Sequence, residues 1–438
     1  MPRKNIPIAD KSKILIIGSG GREHAVGWKI TQQSPKAGEI FFAPGNAGTA
    51  KLGTNVSISA TDISWLLDFA KKEKIGLTLA LPDDPLALGI VDEFRKSGLR
   101  IWGPTKKAAQ LESSKAYAKR FMERHSLPTA KFRTFTDFNE AKTYVKNHSL
   151  PIVVKASGLA RGKGVVICET QDEVLSALEN SLVKKIFGEA GTLVVIEEYL
   201  TGMETSIHAF SDGKTYALFP PAQDHKRARD YNTGPNTGGM GTIAPLPFVS
   251  SSLMKKIEDE IVAPTLSSMA KEGNIFEGVL FPGLMLAPGG PKILEFNARF
   301  GDPETQTYMR LLETDLLEII NACLGQKLSE IEIKWKPLFA CNIVLASGGY
   351  PGNYEKGGII SGIKEAEENK NIVVFHAGTA VKDGVLVTNG GRVLGVSAVG
   401  NTLKEALDAA YEAIDKISFE GMHYRSDIGK EALARLRE

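Results

Sequence analysis

Glu295, Asn297 and Arg299 alternate along the segment Lys292–Glu304, which reads KILEFNARFGDPE. In an extended strand successive side chains point to opposite faces. Ile293, Glu295, Asn297 and Arg299 then share one face, and Leu294, Phe296, Ala298 and Phe300 share the other, able to enter a core. A carboxylate and an amide oxygen two residues apart form a hard-oxygen pair suited to Mg²⁺, and a guanidinium next along that face suits a transferring phosphoryl group. A half-exposed strand with a polar outer face would show the same alternation. The residues just beyond the strand favour a site: Gly301 breaks it, Asp302 is placed to cap a helix and Pro303 to begin it, with the helix predicted to run to about Leu324.

Other segments carry compatible chemistry. Gly18-Ser19-Gly20-Gly21-Arg22-Glu23-His24 sits at a strand-to-helix turn, where glycines let backbone amides approach a phosphate. The third glycine of a dinucleotide fingerprint would fall on Glu23, and the second strand ends in Phe42-Ala43-Pro44 without a carboxylate for a ribose diol. This favours a sugar phosphate over NAD, with a ligand-free tight turn as the alternative. Pro44-Gly45-Asn46-Ala47-Gly48 follows the second strand, on the edge where open sheets hold ligands. Lys155–Val165 joins two strands through a glycine-rich loop that can fold over phosphates or form a plain basic hairpin. It is not a Walker A loop, because Gly164 stands where Ser or Thr would hold Mg²⁺. Leu193–Leu200 is a buried strand running into a polar turn, with Glu204 beyond it. Such a strand end can pair with a purine while a carboxylate takes the ribose hydroxyls, although exposed glutamates there are ordinary. Residues 224–241 are charged and glycine-rich, a ligand surface or a mobile surface loop.

The elements that must position these groups are legible in outline. Residues 13–104 alternate strand and helix: strands at 13–18, 39–43, 77–81 and 100–102, helices at 23–32, 63–73 and 86–97. This order predicts a doubly wound, open parallel sheet. A helix from about Lys106 to His125 leads into a small α+β module over 127–200, with strands at 152–155, 165–168 and 193–197 and a helix at 171–185. Strands return over 201–330 around a long irregular loop at 222–245, and 331–438 carries strands near 340–346, 372–376 and 393–399 and a helix at 403–417.

Bulk properties exclude several classes. The 438 residues, 24% charged and 42% hydrophobic, describe a globular chain of about three domains. A formal charge of +2, without a polybasic block, gives no case for a nucleic-acid or membrane partner. No apolar run approaches the roughly 20 residues needed to span a bilayer, and the first residues lack the apolar region of a signal peptide. Cys168, Cys323 and Cys341 are far apart and read as buried thiols of a reducing compartment, which makes the cytoplasm the expected location.

Taken in order, GSGGREHA (18–25), PGNAG (44–48), KASGLARGKG (155–164), QDHKR (223–227), GPNTGGMG (234–241) and EFNARFGDPETQ (295–306) resemble the ATP-grasp ligases, and within them the glycinamide ribonucleotide synthetase family. The resemblance covers essentially the whole chain after the first 12 residues. It implies a multidomain α/β and α+β fold. The expected parts are a loose tail at 1–12, a Rossmann-like domain at 13–104, an ATP-grasp domain at 105–126 and 198–330, its lid subdomain at 127–197, and a C-terminal α+β domain at 331–438. It implies ATP-dependent joining of glycine to 5-phosphoribosylamine, in de novo purine synthesis, by a monofunctional chain that is a monomer or weak homodimer. Glu295 and Asn297 would hold Mg²⁺ or Mn²⁺, Lys115 and Lys155 would contact ATP phosphates, and the loop with Gly158, Gly162, Lys163 and Gly164 would cover them. Glu197, Glu198 and Leu200 would hold adenine, and Glu204 the ribose. Arg299 would stabilise the transferring phosphoryl group, Gly20, Gly21, Arg22 and Asn46 would cradle phosphoribosylamine, and Asp224 and Lys226 would contact the small substrates. Ser157, Arg161 and Asn232 depart from residues frequent in the family. Another ATP-grasp carboxylate–amine ligase, or a purine-nucleotide sensor without turnover, are the competing readings.

Overall fold

The structure, a computed structural model, describes residues 11–35, 37–160 and 163–436. Most of the tail at 1–12, and Arg161 and Gly162 of the glycine-rich loop, therefore lie outside the described residues. Ser12–Gly18 is almost continuously apolar, the pattern of a strand covered on both faces, and Ile14 to Ile17 are fully buried. It lies at the centre of a five-stranded parallel sheet in the order Thr54–Asn55, Ala37–Pro44, Ser12–Gly18, Leu77–Ala80, Ile101–Trp102. Two expected helices are broken. The one predicted at 86–97 divides at Gly89, whose φ of +95° ends Asp83–Leu88 and begins Ile90–Lys96. The one predicted from Lys106 to His125 divides at extended Ser114, whose hydroxyl accepts from the Tyr117 amide and starts Lys115–Arg124.

A small antiparallel sheet comes next, ordered Phe132–Phe135, Val194–Glu198, Ile152–Ala156, Val165–Cys168. Helices Phe138–Val145 and Gln171–Leu178 give it its own core around Val145, Val154, Val174 and Ile196. Val153 lies opposite Glu197, so Lys155 and Glu197 are diagonal neighbours on one face.

The strand with the metal-suited pair, Gly290–Asn297, is antiparallel to Glu277–Ala287. Its alternation is interrupted. Gly283 faces Glu295 while Leu284 faces Ile293, so Leu294 is an extra, bulged residue. The bulge reverses the phase of the strand: Ile293 is buried in the core with Phe296 and Ala298, not on the polar face, and Leu294 turns toward the cleft. The helix expected from Pro303 to Leu324 is two helices, Glu304–Leu311 and Leu316–Gly325, because Leu312 is extended and Asp315 caps the second. Asp302 does not cap the first; its carboxylate accepts from Gln306 and pairs with Arg392.

The last sheet is ordered Gln223–Asp224, Gly241–Ala244, Phe339–Ala346, Arg392–Gly400, Ile372–His376. Its first two strands come from the segment read as an irregular loop, which also contains the hairpin Arg227–Arg229/Thr233–Asn236. Strands this short, interleaved with glycines, leave no legible alternation. Helix Leu403–Ile414 packs on this sheet. Phe300 joins the units, its ring 5.6 Å from Trp102 at the edge of the first sheet and 6.0 Å from Phe210. Among the described residues no helix is long and apolar enough to cross a membrane.

A buried lysine fixes helix Gly21–Gln33 to the break between the two later helices: Lys29 is 2% exposed and its ammonium donates to the Leu312 carbonyl. Burial, with Lys336 adding to it against Asp315, brings Lys29 down from 10.5 to about 7. From about pH 7 to about 10 the unfolded chain keeps a proton that the folded chain has released. Stability from this group is therefore complete above its unfolded value and is lost as pH falls toward about 7, by at most about 1.4 kcal/mol per pH unit. In unfolding midpoints measured from pH 7 to 9.5, Lys29→Met is expected to rise with pH less steeply than the parent, and equal slopes would refute this role for Lys29.

Candidate active site

Residues from all four sheet systems described above, on strands or flanking helices, line a cleft of about 950 Å³. Its lining includes Lys115 and Lys155, with Lys163 and Gly164 of the glycine-rich loop. The Lys155 ammonium donates to Glu197 at 3.0 Å and to the Leu294 carbonyl at 3.1 Å, an acceptor that the bulged residue supplies. Lys119 reaches the same Glu197 oxygen at 3.1 Å and also donates to Thr129. Burial lowers Lys119 to about 8, with Glu197 opposing. The Glu197 carboxylate is thus held between two lysines, and its second oxygen is buried with no hydrogen-bond partner. Lys119 escaped the sequence reading, although it lies four residues after Lys115, a spacing that shares a helix face. Lys115 opens its helix, and its amide donates to the Ser157 carbonyl at 2.7 Å while the Ala116 amide donates to the Ser157 hydroxyl at 3.1 Å. Ser157 therefore ties the base of the glycine-rich loop to the helix that presents Lys115. Gly158 does not line the cleft; a Cβ there would meet the Ala190 backbone at 2.6 Å, so its role is close packing.

Along one wall, Leu200 and Met285 pack with Ala130 and half-buried Leu294 in a small apolar cluster that faces the cleft. Glu198 is already engaged, its amide donating to the Lys131 carbonyl and its carboxylate accepting from the Lys131 amide, both at 3.0 Å. Exposed Glu204 lines the cleft beyond this wall. Met285 and Leu294 were not singled out from sequence, because only the strand pairing and the bulge bring them to this wall.

Glu295 lines the same cleft. Burial pushes its carboxyl up, but Lys226, Lys115, Lys155 and Arg299 outweigh burial and hold it below the ordinary range, so it is ionised. The Asn297 side-chain oxygen accepts from Arg299 at 3.2 Å. Arg299 also pairs with Glu112 at 2.9 Å and donates to the Phe300 carbonyl at 3.2 Å. Arg22 donates to that same carbonyl at 3.0 Å, and its Nε donates to Glu23 at 2.7 Å. Two guanidinium groups from different units thus meet over one oxygen. Burial, with Glu304 and Glu204 adding to it, raises Asp224, while Lys226, 3.4 Å away, opposes that rise. Burial opposes the Lys226 charge, yet Asp224, Glu295 and Glu304 more than compensate and keep it protonated. Among the described residues no group of three or more His, Cys, Asp or Glu could hold a metal. A single ionised carboxylate and one amide oxygen suit an ion that takes its other ligands from phosphates and water.

Models of the phosphoribosylglycinamide synthetase N domain, ATP-grasp (A) domain and C domain match residues 12–112, 113–305 and 340–431. A phosphoribosylamine–glycine ligase of Vibrio parahaemolyticus is 49% identical over 431 residues, which is 97% of this chain and 100% of that protein. The chain belongs to the phosphoribosylglycinamide synthetase family. A phosphoribosylamine–glycine ligase of Vibrio vulnificus is 50% identical over 96% of this chain and 99% of its own. The crystal structure of the phosphoribosylamine–glycine ligase of Thermotoga maritima, 38% identical, superposes with a TM-score of 0.81 over 95% of this chain and 100% of that one. The family resemblance and the fold class read from the motifs agree with these comparisons, and the chain is an ATP-grasp ligase.

Within this family member, the residues assigned to phosphoribosylamine are not all on the cleft. Arg22 lines it; Gly20, Gly21 and Asn46 do not. The Gly20 amide donates to the Glu23 carboxylate at 2.6 Å. A Cβ at Gly21 would press on the Gln306 side-chain amide, which would have to shift. Asn46 is fully engaged: its NH₂ donates to the carbonyls of Ser19 and His376, both at 2.9 Å, and its oxygen accepts from the Gly48 and Thr49 amides. An Asn followed by small residues and Thr is the pattern of an Asx turn, a signal available in the sequence. Asn46 therefore clamps the first sheet's loops to strand Ile372–His376. Asn46→Ala is expected to lower the unfolding midpoint by several degrees, since it leaves buried carbonyls and amides unpaired at about 1–3 kcal/mol each. An unchanged midpoint in a thermal scan would contradict this role.

Proposed function

We propose that the cleft joins glycine to 5-phosphoribosylamine with cleavage of ATP to ADP and phosphate, through glycyl phosphate. The observation that carries this reading is the ionised Glu295 amid Lys115, Lys155, Lys226 and Arg299, an arrangement suited to phosphoryl transfer between anions. A carboxylate is a poor acyl donor because its oxygen leaves poorly. In the proposed sequence a glycine carboxylate oxygen attacks the γ-phosphorus, the bond to the ADP oxygen breaks, and glycyl phosphate forms. The sugar amine then attacks the acyl carbon; the C–N bond forms, phosphate leaves with its oxygen, and the amine loses a proton. Positioning and charge neutralisation supply most of the catalysis in such a transfer.

In this reading Lys155 and Arg299 act on the transferring group, and Lys115, Lys163 and Gly164 on the ATP phosphates. Gly158 supports the loop, and Gly162 belongs to it by sequence. The apolar wall of Leu200, Met285 and Leu294 takes adenine, with backbone contact from the strand end at Glu197 and Glu198, and Glu204 takes the ribose. The Glu197 carboxylate, held by Lys119 and Lys155, serves those lysines instead of adenine. Arg22 takes the phosphoribosylamine, with Gly20, Gly21 and Asn46 shaping its loop. Asp224 and Lys226 face the small substrates. Glu295 and Asn297 would hold Mg²⁺ or Mn²⁺, which supplies neutralisation of phosphate charge; Arg299 must then share the Asn297 oxygen, which has two lone pairs. The division into domains at 13–104, 105–126 with 198–330, 127–197 and 331–438, a cytoplasmic location, and a monomer or weak homodimer complete the proposal.

ADP release that requires ATP, Mg²⁺, glycine and freshly prepared phosphoribosylamine together tests it, and release indifferent to either small substrate would overturn it. Glu295→Ala is expected to lower turnover by at least about a thousandfold with an unchanged circular dichroism spectrum. Near-parental turnover in that variant would remove Glu295 from the mechanism.

A further inference from the structure

Arg299 can act on a transferring phosphoryl group only if its guanidinium is held in one orientation, and its own strand does not provide this. Its bonds to the neighbouring Phe300 carbonyl and to Asn297 are both 3.2 Å long, and its Nε is buried with no hydrogen-bond partner. The short, charge-assisted contact comes from elsewhere. Glu112, in helix Gln110–Ser113, is 8% exposed and uses its two oxygens on consecutive residues of the strand end. One accepts from the Arg299 guanidinium at 2.9 Å, and the other accepts from the Ala298 amide at 2.7 Å. A single carboxylate thus fixes both the backbone from which Arg299 projects and the charged head itself. Three residues later the same segment presents Lys115 to the cleft and grips Ser157 at the base of the glycine-rich loop.

We propose that Glu112 is a positioning residue for Arg299, fixing the direction in which its guanidinium meets the cleft and keeping it from other acids. This rests on the reading of Arg299 as a phosphoryl-transfer group. Competing acids exist: Asp83, Glu304 and Asp302 all lie close enough to act on the Arg299 charge. Without Glu112 the guanidinium keeps its charge but loses its direction. Glutamine at 112 retains shape and the acceptor for the Ala298 amide while removing the ion pair. Aspartate retains the charge but is one methylene too short to reach both donors.

The test is steady-state ADP formation by the full chain carrying Glu112→Gln, Glu112→Asp, Arg299→Gln, or Glu112→Gln with Arg299→Gln. Both single changes at 112 are expected to lower kcat about 10- to 100-fold, with the KM values for ATP and glycine within about threefold of the parent and an unchanged circular dichroism spectrum. Combined with Arg299→Gln, Glu112→Gln is expected to change the residual rate by less than about threefold, because the group it directs is gone. A Glu112→Gln kcat within twofold of the parent overturns the proposal. So does an equal loss in both backgrounds, which would make Glu112 a structural residue independent of Arg299. Failure of the ligase reading would appear differently, as a parent without ADP release dependent on both small substrates.

Discussion

The cleft depends on keeping Glu295 ionised while partly buried. Burial alone would favour its neutral acid, and Lys226, Lys115, Lys155 and Arg299 reverse that preference. The same cations would crowd onto Glu295 if nothing restrained them. Several have a second anchor: Glu197 for Lys155, Glu112 for Arg299, Asp224 for Lys226. Buried ion pairs add little net stability, because desolvation consumes most of the attraction. What they provide here is direction. Each anchored cation stays in place and keeps hydrogen-bonding capacity for a polyanionic substrate.

The fold places these anchors by bringing remote segments to one locus. Glu197 meets Lys155 because their strands pair within the small antiparallel sheet, and it meets Lys119 because helix Lys115–Arg124 lies against that sheet. Glu112 and Arg299 come from segments on either side of it in sequence. Phe300 packs its ring against Trp102 and Phe210 and offers its carbonyl to both Arg22 and Arg299, so one residue couples hydrophobic packing between units to the spacing of two guanidinium groups. The bulge at Leu294 has a similar double effect. It turns one carbonyl toward Lys155 and one side chain toward the apolar wall, while Ile293 returns to the core.

Much of this was legible in the sequence, and the parts that were not have physical reasons. The first sheet was readable because its central strands are apolar runs separated by helical periodicity. Glu295, Asn297 and Arg299 were readable because residues at spacing two share a face beyond the bulge. The bulge itself was invisible, since local composition does not record which residue of a partner strand is skipped. Helix breaks at Gly89, Ser114 and Leu312 depended on single-residue conformations within otherwise helical patterns. The strands at 223–224 and 241–244 are too short to show a period and exist because Phe339–Ala346 offers an edge. Asn46 shows the opposite lesson: a polar residue in a glycine loop looked like a ligand contact, and its hydrogen bonds are spent within the fold. Glu112 could not stand out, because a single charged residue on a helix is ordinary until its partner from a distant strand is known, whereas Lys119 offered only its spacing of four from Lys115.

In the proposed reaction the charged cleft activates a carboxylate by moving a phosphoryl group onto its oxygen. Turnover of glycine labelled with ¹⁸O in both carboxyl oxygens tests this directly. The proposed mechanism predicts that each inorganic phosphate released carries one ¹⁸O, because the oxygen that attacked phosphorus leaves with it when the amide forms. Product formation at the normal rate with unlabelled phosphate would contradict it.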